Sequence, residues 1–377
     1  VDRRGGVFQN EILASRRWNR KTASAIVHWT SPIVYYHHHT AMPKIKKVIN
    51  NPNDCAAELL EGLVEAYDGD CVKVGRGCIV RSRIPKGKVA LLIGGGSGHE
   101  PIYHGLVGHN LADGAACGDI FAAPPPDVVL EGTQAVHRGK GVLYLYGNYA
   151  GDVMNFDMGA ELAADEGITV KTVLIWDDVC SAPPDRKHDR RGIAGLVPIV
   201  KLAGAAAAVV DSLDELERIT LKARDNTRSV GVSMSPGSIP ATGKPTFEIG
   251  DEEIGLGMGI HGEKGVGLIP LDTADNLAPK LLNLIFGDDL EFKAGDEVVL
   301  FVNSLGSTTM MELLIVNRKV KQALVAKGIK VHDTIIGPLV TCQEMAGFSL
   351  SLTKLDEELK RLWNMECSSV CYTKLKS

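Results

Sequence analysis

No run in these 377 residues approaches the roughly 20 consecutive apolar side chains of a membrane span. The longest weakly polar stretch, Leu202 to Val210, is mostly alanine, so a soluble chain with no membrane partner is expected. Charge of one sign is also scarce. With 41 basic and 46 acidic residues the net charge is −5, too little asymmetry for a polyanion-binding face, and nucleic acid is excluded as the expected partner. The 8 cysteines form no CxxC pair. In a chain this long they read as scattered buried thiols, which points to a reducing, cytoplasmic compartment. A P-loop is missing too, since no Gly-Lys dipeptide precedes Ser or Thr.

What is present is the composition of a folded globular protein, 45% apolar and 23% charged. The length exceeds one typical domain, so the fold class expected is α/β, built as two α/β domains. Residues 1–41 stand apart: they are basic, poor in acids and without an apolar period. They read as an extension, either a targeting segment or not native to the fold, and are expected to be disordered. Their histidine run, His37 to His39, does not by itself make a metal site.

The first domain is expected over 42–226. It opens with an amphipathic helix pattern from Asn53 to Tyr67 and then alternates strands and helices, the mark of a βαβ-rich sheet. Strands are expected at Lys88 to Ile93, Gly141 to Tyr146 and Thr169 to Trp176, helices at Asp127 to His137 and Val153 to Glu166, and one long helical stretch from Gly192 through Asn226. The second domain, 227–377, is expected to be a mixed sheet with helices. Its strands fall at Ser229 to Met234, Thr246 to Ile249, Ile254 to Ile260, Glu297 to Asn303, Val331 to Ile336 and Phe348 to Lys354, and its helices near Ala274 to Ile285 and Thr308 to Ala326.

Ligands in open α/β sheets gather beyond the carboxyl ends of strands. Two turns fall there and should lie close together: Gly94 to Glu100 and Gly147 to Asp152. In the first, three successive glycines would allow a ligand close to the backbone. The turn is not GxGxxG, because His99, Glu100 and Pro101 occupy the positions where the last glycine would stand. Nor is it HExxH, because His104 lies one residue too far along. In the second turn, Asp152 either caps the helix that follows or accepts a proton from a substrate hydroxyl. A third glycine-rich stretch, Gly255 to Gly265, is read as a strand ending in His261. A metal hydrolase built on His99, His104 and His109 is disfavoured, because a five-residue spacing puts them on no common helical face. No metal site is expected.

Four stretches, GGGSGHEP (Gly94 to Pro101), GDIFAAPPPD (Gly118 to Asp127), NYAGDVMNF (Asn148 to Phe156) and GMGIHGEKG (Gly257 to Gly265), resemble the substrate-binding subunit of dihydroxyacetone kinases in order and approximate spacing. The likeness runs from about Met42 to Trp363, supported by Gly243-Lys244-Pro245 and Asn303 to Leu313. It implies a two-domain α/β subunit, usually a homodimer, with the active site where the domains meet. His261 matches the histidine that binds the ketone carbonyl of the substrate covalently as a hemiaminal, chemistry open to neutral imidazole near pH 7. Asp152 and His99 match the groups that hold substrate hydroxyls and act as acid and base. Gly96, Ser97 and Gly98 match the loop whose amides approach the ligand; with His99, Gly147 and Asp152 they make the implied substrate-binding set.

The departures are Gly147 and Ala123, where many members carry lysine and serine. They open the question of a four-carbon ketose such as erythrulose in place of dihydroxyacetone. Nothing here forms a nucleotide phosphate loop or an acidic magnesium cluster. The resemblance therefore implies that this chain binds no cofactor, and that ATP or ADP with magnesium sits on a separate nucleotide-carrying donor subunit. A non-catalytic ketone sensor acting on a regulator is the alternative, and the presence of His99 and Asp152 beside His261 favours catalysis. Residues 364–377 depart from the family and have no functional reading.

Overall fold

The computed structural model describes residues 46–375, so the extension expected over 1–41 lies outside the described residues. The chain is a mixed α/β protein with two six-stranded sheets. The first holds β1 (Cys71–Val74), β2 (Cys78–Arg81), β3 (Ala90–Ser97), β4 (Gly114–Ile120), β5 (Val142–Gly147) and β6 (Val170–Ile175) in the order β1-β2-β4-β3-β5-β6. Strands β4, β3, β5 and β6 run parallel, and β1 and β2 add an antiparallel edge. The strand that follows β3 pairs on one side of it and the next pairs on the other, so the order reverses at β3 and opens a crevice at its carboxyl end.

The second sheet holds β7 (Thr227–Ser235), β8 (Glu253–Leu256), β9 (Gly267–Pro270), β10 (Glu297–Ser304), β11 (Lys330–Gly337) and β12 (Ala346–Leu355) in the order β9-β8-β7-β12-β10-β11. Only β10 and β11 pair in parallel. The two sheets are stitched where the chain leaves β6: Ser229 N–H donates to Asp177 O at 2.8 Å and Val179 N–H to Ser229 O at 3.0 Å. The side chain of Asp177, fully buried, accepts from the Ile193 and Gly195 N–H groups, both at 2.8 Å.

The helices are α1 (Cys55–Ala66), α2 (Pro126–Val136), α3 (Ala150–Asp165), α4 (Leu196–Ala207), α5 (Leu213–Asp225), α6 (Ala274–Phe286), α7 (Met310–Ala326) and α8 (Glu357–Trp363). The long helix expected from Gly192 through Asn226 is two helices. Ser212 breaks it by capping α5, its side chain accepting from Glu215 N–H at 3.2 Å, a local bond that competes with helix continuation. Helix α7 starts with a reciprocal capping box between Thr309 and Glu312.

Two expected strands are corrected. Residues 246–249 form no strand, because pairing there stops after Lys244–Pro245. The strand expected to reach Ile260 ends at Leu256, since Gly257 turns the chain at φ +68°, a region side chains other than glycine rarely adopt. His261 therefore sits in a loop, not at a strand end. The tail also has a place: Ser368 pairs with His109, and Trp363 Nε1 and Lys374 Nζ reach Asp333 at 2.9 and 2.6 Å.

Candidate active site

The crevice beyond β3 and β5 is met by loops of the second sheet, and the catalytic candidates converge there from distant parts of the sequence. His99 follows β3 and is 2% exposed. Its Nδ1 lies 2.7 Å from Thr341 O, in the loop between β11 and β12, and its Nε2 lies 2.8 Å from Nε2 of His261. The other nitrogen of His261, Nδ1, is 2.6 Å from Glu263 Oε1, and the backbone N–H of His261 donates to Glu263 Oε2.

These partners fix the hydrogens. A carbonyl oxygen only accepts, so His99 carries its hydrogen on Nδ1 and, being neutral, presents a bare Nε2. The hydrogen between the two Nε2 atoms then belongs to His261, whose Nδ1–H donates to Glu263. Burial is the main reason that His99 stays uncharged: it brings the ring down to about 3, with the His261 charge adding to the effect and the Thr341 bond opposing it. Burial alone would lift the Glu263 carboxyl. The hydrogen bond and charge of His261, a backbone bond and the charge of Arg191 together bring it below its ordinary range, so it accepts as a carboxylate.

Asp152 stands in the first turn of α3. It does not cap the helix: the N-cap is Tyr149, with no side-chain bond, and Asp152 Oδ1 is buried without any partner. Burial pushes the carboxyl up to about 7, opposed by the His261 charge and a backbone hydrogen bond. A carboxyl so perturbed, with one buried oxygen left without a partner, has the properties of a general base working near neutrality. Aromatic rings wall the site. Phe121 and Tyr149 meet the His261 ring edge-on, with centroids 5.3 and 5.1 Å away, and Phe121 also lies 5.1 Å from His99.

The glycine loop serves the protein more than a ligand. A Cβ at Gly96 would stand 2.8 Å from Ala122 N, and one at Gly98 would stand 2.7 Å from the Phe121 ring. The Ser97 hydroxyl donates to Gly118 O at 2.7 Å and the Gly98 N–H to Glu100 Oε1 at 2.8 Å. Gly147 is buried at the end of β5, where a Cβ would press on the Tyr149 ring at 3.0 Å. Reasoning from sequence missed Glu263, Thr341, Arg191, Phe121 and Tyr149. Glu263 alone left a signal, a carboxylate two residues past the histidine in a glycine-bounded turn.

His104 is buried in a short turn, His109 lies on a strand paired with Ser368, and no group of three His, Cys, Asp or Glu among the described residues could hold an ion. The cysteines described are all free; Cys71, Cys78, Cys117, Cys342 and Cys367 are buried, Cys55 and Cys180 partly so, and Cys371 is exposed. No helix among the described residues is long and apolar enough to cross a membrane.

Residues 61–371 match the Dak1 domain. The chain is 40% identical over 328 residues to the PTS-dependent dihydroxyacetone kinase 2, dihydroxyacetone-binding subunit DhaK, of Listeria innocua, covering 86% of this chain and 98% of that one. It is 38% identical over 328 residues to the L-erythrulose 1-kinase of Mycolicibacterium smegmatis, covering 86% of this chain and 57% of that one. The native dihydroxyacetone kinase of C. freundii has the same fold, with a TM-score of 0.78 and 31% identity over 87% of this chain and 60% of that one. With one domain matched across most of its length and a relative matched nearly end to end, the chain belongs to the Dak1 domain family.

Proposed function

We propose that the chain is the substrate-binding subunit of a dihydroxyacetone-type kinase, a phosphotransferase with an alcohol group as acceptor. It captures a short ketose on His261 and presents a hydroxyl to a phosphoryl group delivered by a separate nucleotide-carrying subunit. The observation that carries this reading is the contact between Nε2 of His99 and Nε2 of His261, with one hydrogen between them and Asp152 unpartnered nearby.

The covalent step balances without a further reactant. Nε2 of His261 first passes its hydrogen to the bare Nε2 of His99, which frees the lone pair that bonds to the carbonyl carbon while the C=O π pair moves to oxygen. His99 then gives the proton to that oxygen, so that N–H has added across C=O and the ring keeps its Nδ1 hydrogen. His99, held near 3 by burial, does not keep the proton. Glycerol lacks a carbonyl and is refused, a discrimination that hydrogen bonds to hydroxyls alone would not supply. Asp152 then takes the proton of the terminal hydroxyl as that oxygen attacks phosphorus.

The L-erythrulose 1-kinase among the relatives favours a second reading of the substrate. Gly147 stands where many members of the family carry lysine, so this chain lacks that cationic side chain. Dimerisation, a reducing cytoplasmic setting and a division of the chain into two domains near residue 226 complete the proposal. Intact-mass measurement after incubation with dihydroxyacetone, erythrulose and glycerol tests it. Adducts are expected with the two ketoses only, absent in His261→Ala and retained in Asp152→Asn. An adduct surviving in His261→Ala would overturn the assignment, and absence of turnover with every cognate donor subunit would favour a ketone sensor.

A further inference from the structure

A loop crowded with glycine is a poor mount for a nucleophile, yet Gly257, Gly259, Gly262 and Gly265 all surround His261. What steadies the ring is charge. Glu263 grips His261 twice, at the backbone N–H and at Nδ1. Arg191, in the segment between β6 and α4, grips the loop in turn: Nη2 donates to Gly257 O at 2.8 Å, Nη1 to Glu263 O at 3.4 Å, and Nη1 stands 3.9 Å from Glu263 Oε2. Arg191 is itself anchored, Nε and Nη2 donating to Asp178 Oδ2 at 3.2 and 2.8 Å. The Asp178 side chain is 1% exposed and lies at the seam between the sheets. The loop is shaped around this column, because a Cβ on Gly259 would collide with the Glu263 carboxylate and with Arg191 Nη1.

We propose that Glu263, locked by Arg191 and Asp178, is a positioning residue for covalent capture: it holds the ring through its Nδ1 hydrogen, so that Nε2, once it has passed its own hydrogen to His99, faces the substrate. The inference rests on the hemiaminal reading above and adds the device that aims and tunes the nucleophile. The same logic orders a nucleophile, base and orienting carboxylate in hydrolytic triads. The groups that face His261 are Glu263 and Arg191 on its own side, His99 and Asp152 across the cavity, and Tyr149 at its edge.

The test is the rate of adduct formation with dihydroxyacetone, followed by intact mass from pH 5 to 9, for wild type, Glu263→Gln and Arg191→Lys. Losing the carboxylate is expected to slow capture about tenfold or more on the alkaline plateau of the profile. It also removes an opposite charge that favours the ring's protonated form, so the midpoint of the rate profile moves to lower pH. Arg191→Lys keeps the carboxylate and loses the planar fork, so the rate falls while the midpoint stays. A Glu263→Gln profile with the wild-type midpoint, slowed or not, overturns the proposal, as does Arg191→Lys behaving as wild type if Glu263→Gln fails to fold. Absence of any wild-type adduct would instead refute the hemiaminal reading itself.

Discussion

Replacing Asp152 by asparagine keeps the volume of the side chain and removes one proton acceptor. With the carboxyl lifted to about 7 by burial, the group is protonated below neutrality and ionised above it. If Asp152 is the base, turnover rises with pH: about one tenth of the chains hold the active form at pH 6 and about nine tenths at pH 8, roughly a tenfold gain. A carboxyl at its ordinary value near 4 would give a flat profile over that span. Asp152→Asn should cost on the order of 10² to 10⁴ in turnover. The assay couples ketose phosphorylation to a cognate donor subunit, and the wild-type to Asp152→Asn ratio at each pH cancels titrations that belong to the donor. A ratio constant from pH 6 to 8 would refute the argument. Stability gives a second reading of the same group. A raised carboxyl favours the fold only while protonated, and that contribution is lost as pH climbs through about 7. Asp152→Asn should therefore melt above wild type at pH 8, with the gap closing toward pH 5.

Two further perturbations follow from packing. Leu350 is fully buried on β12, one of the two central strands of the second sheet, so Leu350→Ala should lower unfolding stability by about 2–5 kcal/mol in a urea titration; a loss below about 1 kcal/mol would mean that the site had collapsed around the gap. Gly147→Lys places a Cβ 3.0 Å from the Tyr149 ring, which lies edge-on to His261. The kcat/KM ratio of erythrulose to dihydroxyacetone should fall several-fold, and an unchanged ratio would remove Gly147 from the choice of substrate.

The elements legible in the sequence were those whose burial is periodic or continuous. Strand β5, VLYLYG, is buried at every position, and α6 follows its apolar pattern to within a residue. The hidden ones broke the usual propensities. Strand β4 reads GAACGDI, with little to mark it as a strand, because small residues are what the contacts around it allow: a Cβ at Gly114 would stand 2.6 Å from Val136 and one at Gly118 would strike the Ala122 carbonyl. The hairpin of β1 and β2 was missed for its brevity, four residues a strand.

In the site, the three residues proposed as chemically active could be named because motifs carried them. Their supports could not, because each is defined by a partner far along the chain. Thr341 matters through an oxygen that every residue possesses, placed by Asn303, whose side chain donates to Val340 O and accepts from Leu339 and Val340 N–H. The glycine run misled in the opposite sense. It suggested room for a ligand, and the space is taken by Tyr103, Phe121 and the backbone of 116–122.

The meeting of two imidazoles that are 162 positions apart has a consequence for synthesis. A ribosome must release the whole first sheet and two strands of the second before His261 can meet His99, and the Thr341 carbonyl that orients His99 emerges later still, after three more strands. Until then each histidine is an ordinary solvated ring with no companion to relay its hydrogen. Under the proposed capture, carbonyl metabolites encountered by an unfinished chain thus find nothing able to trap them, and reactivity toward ketones is switched on by the completion of folding itself.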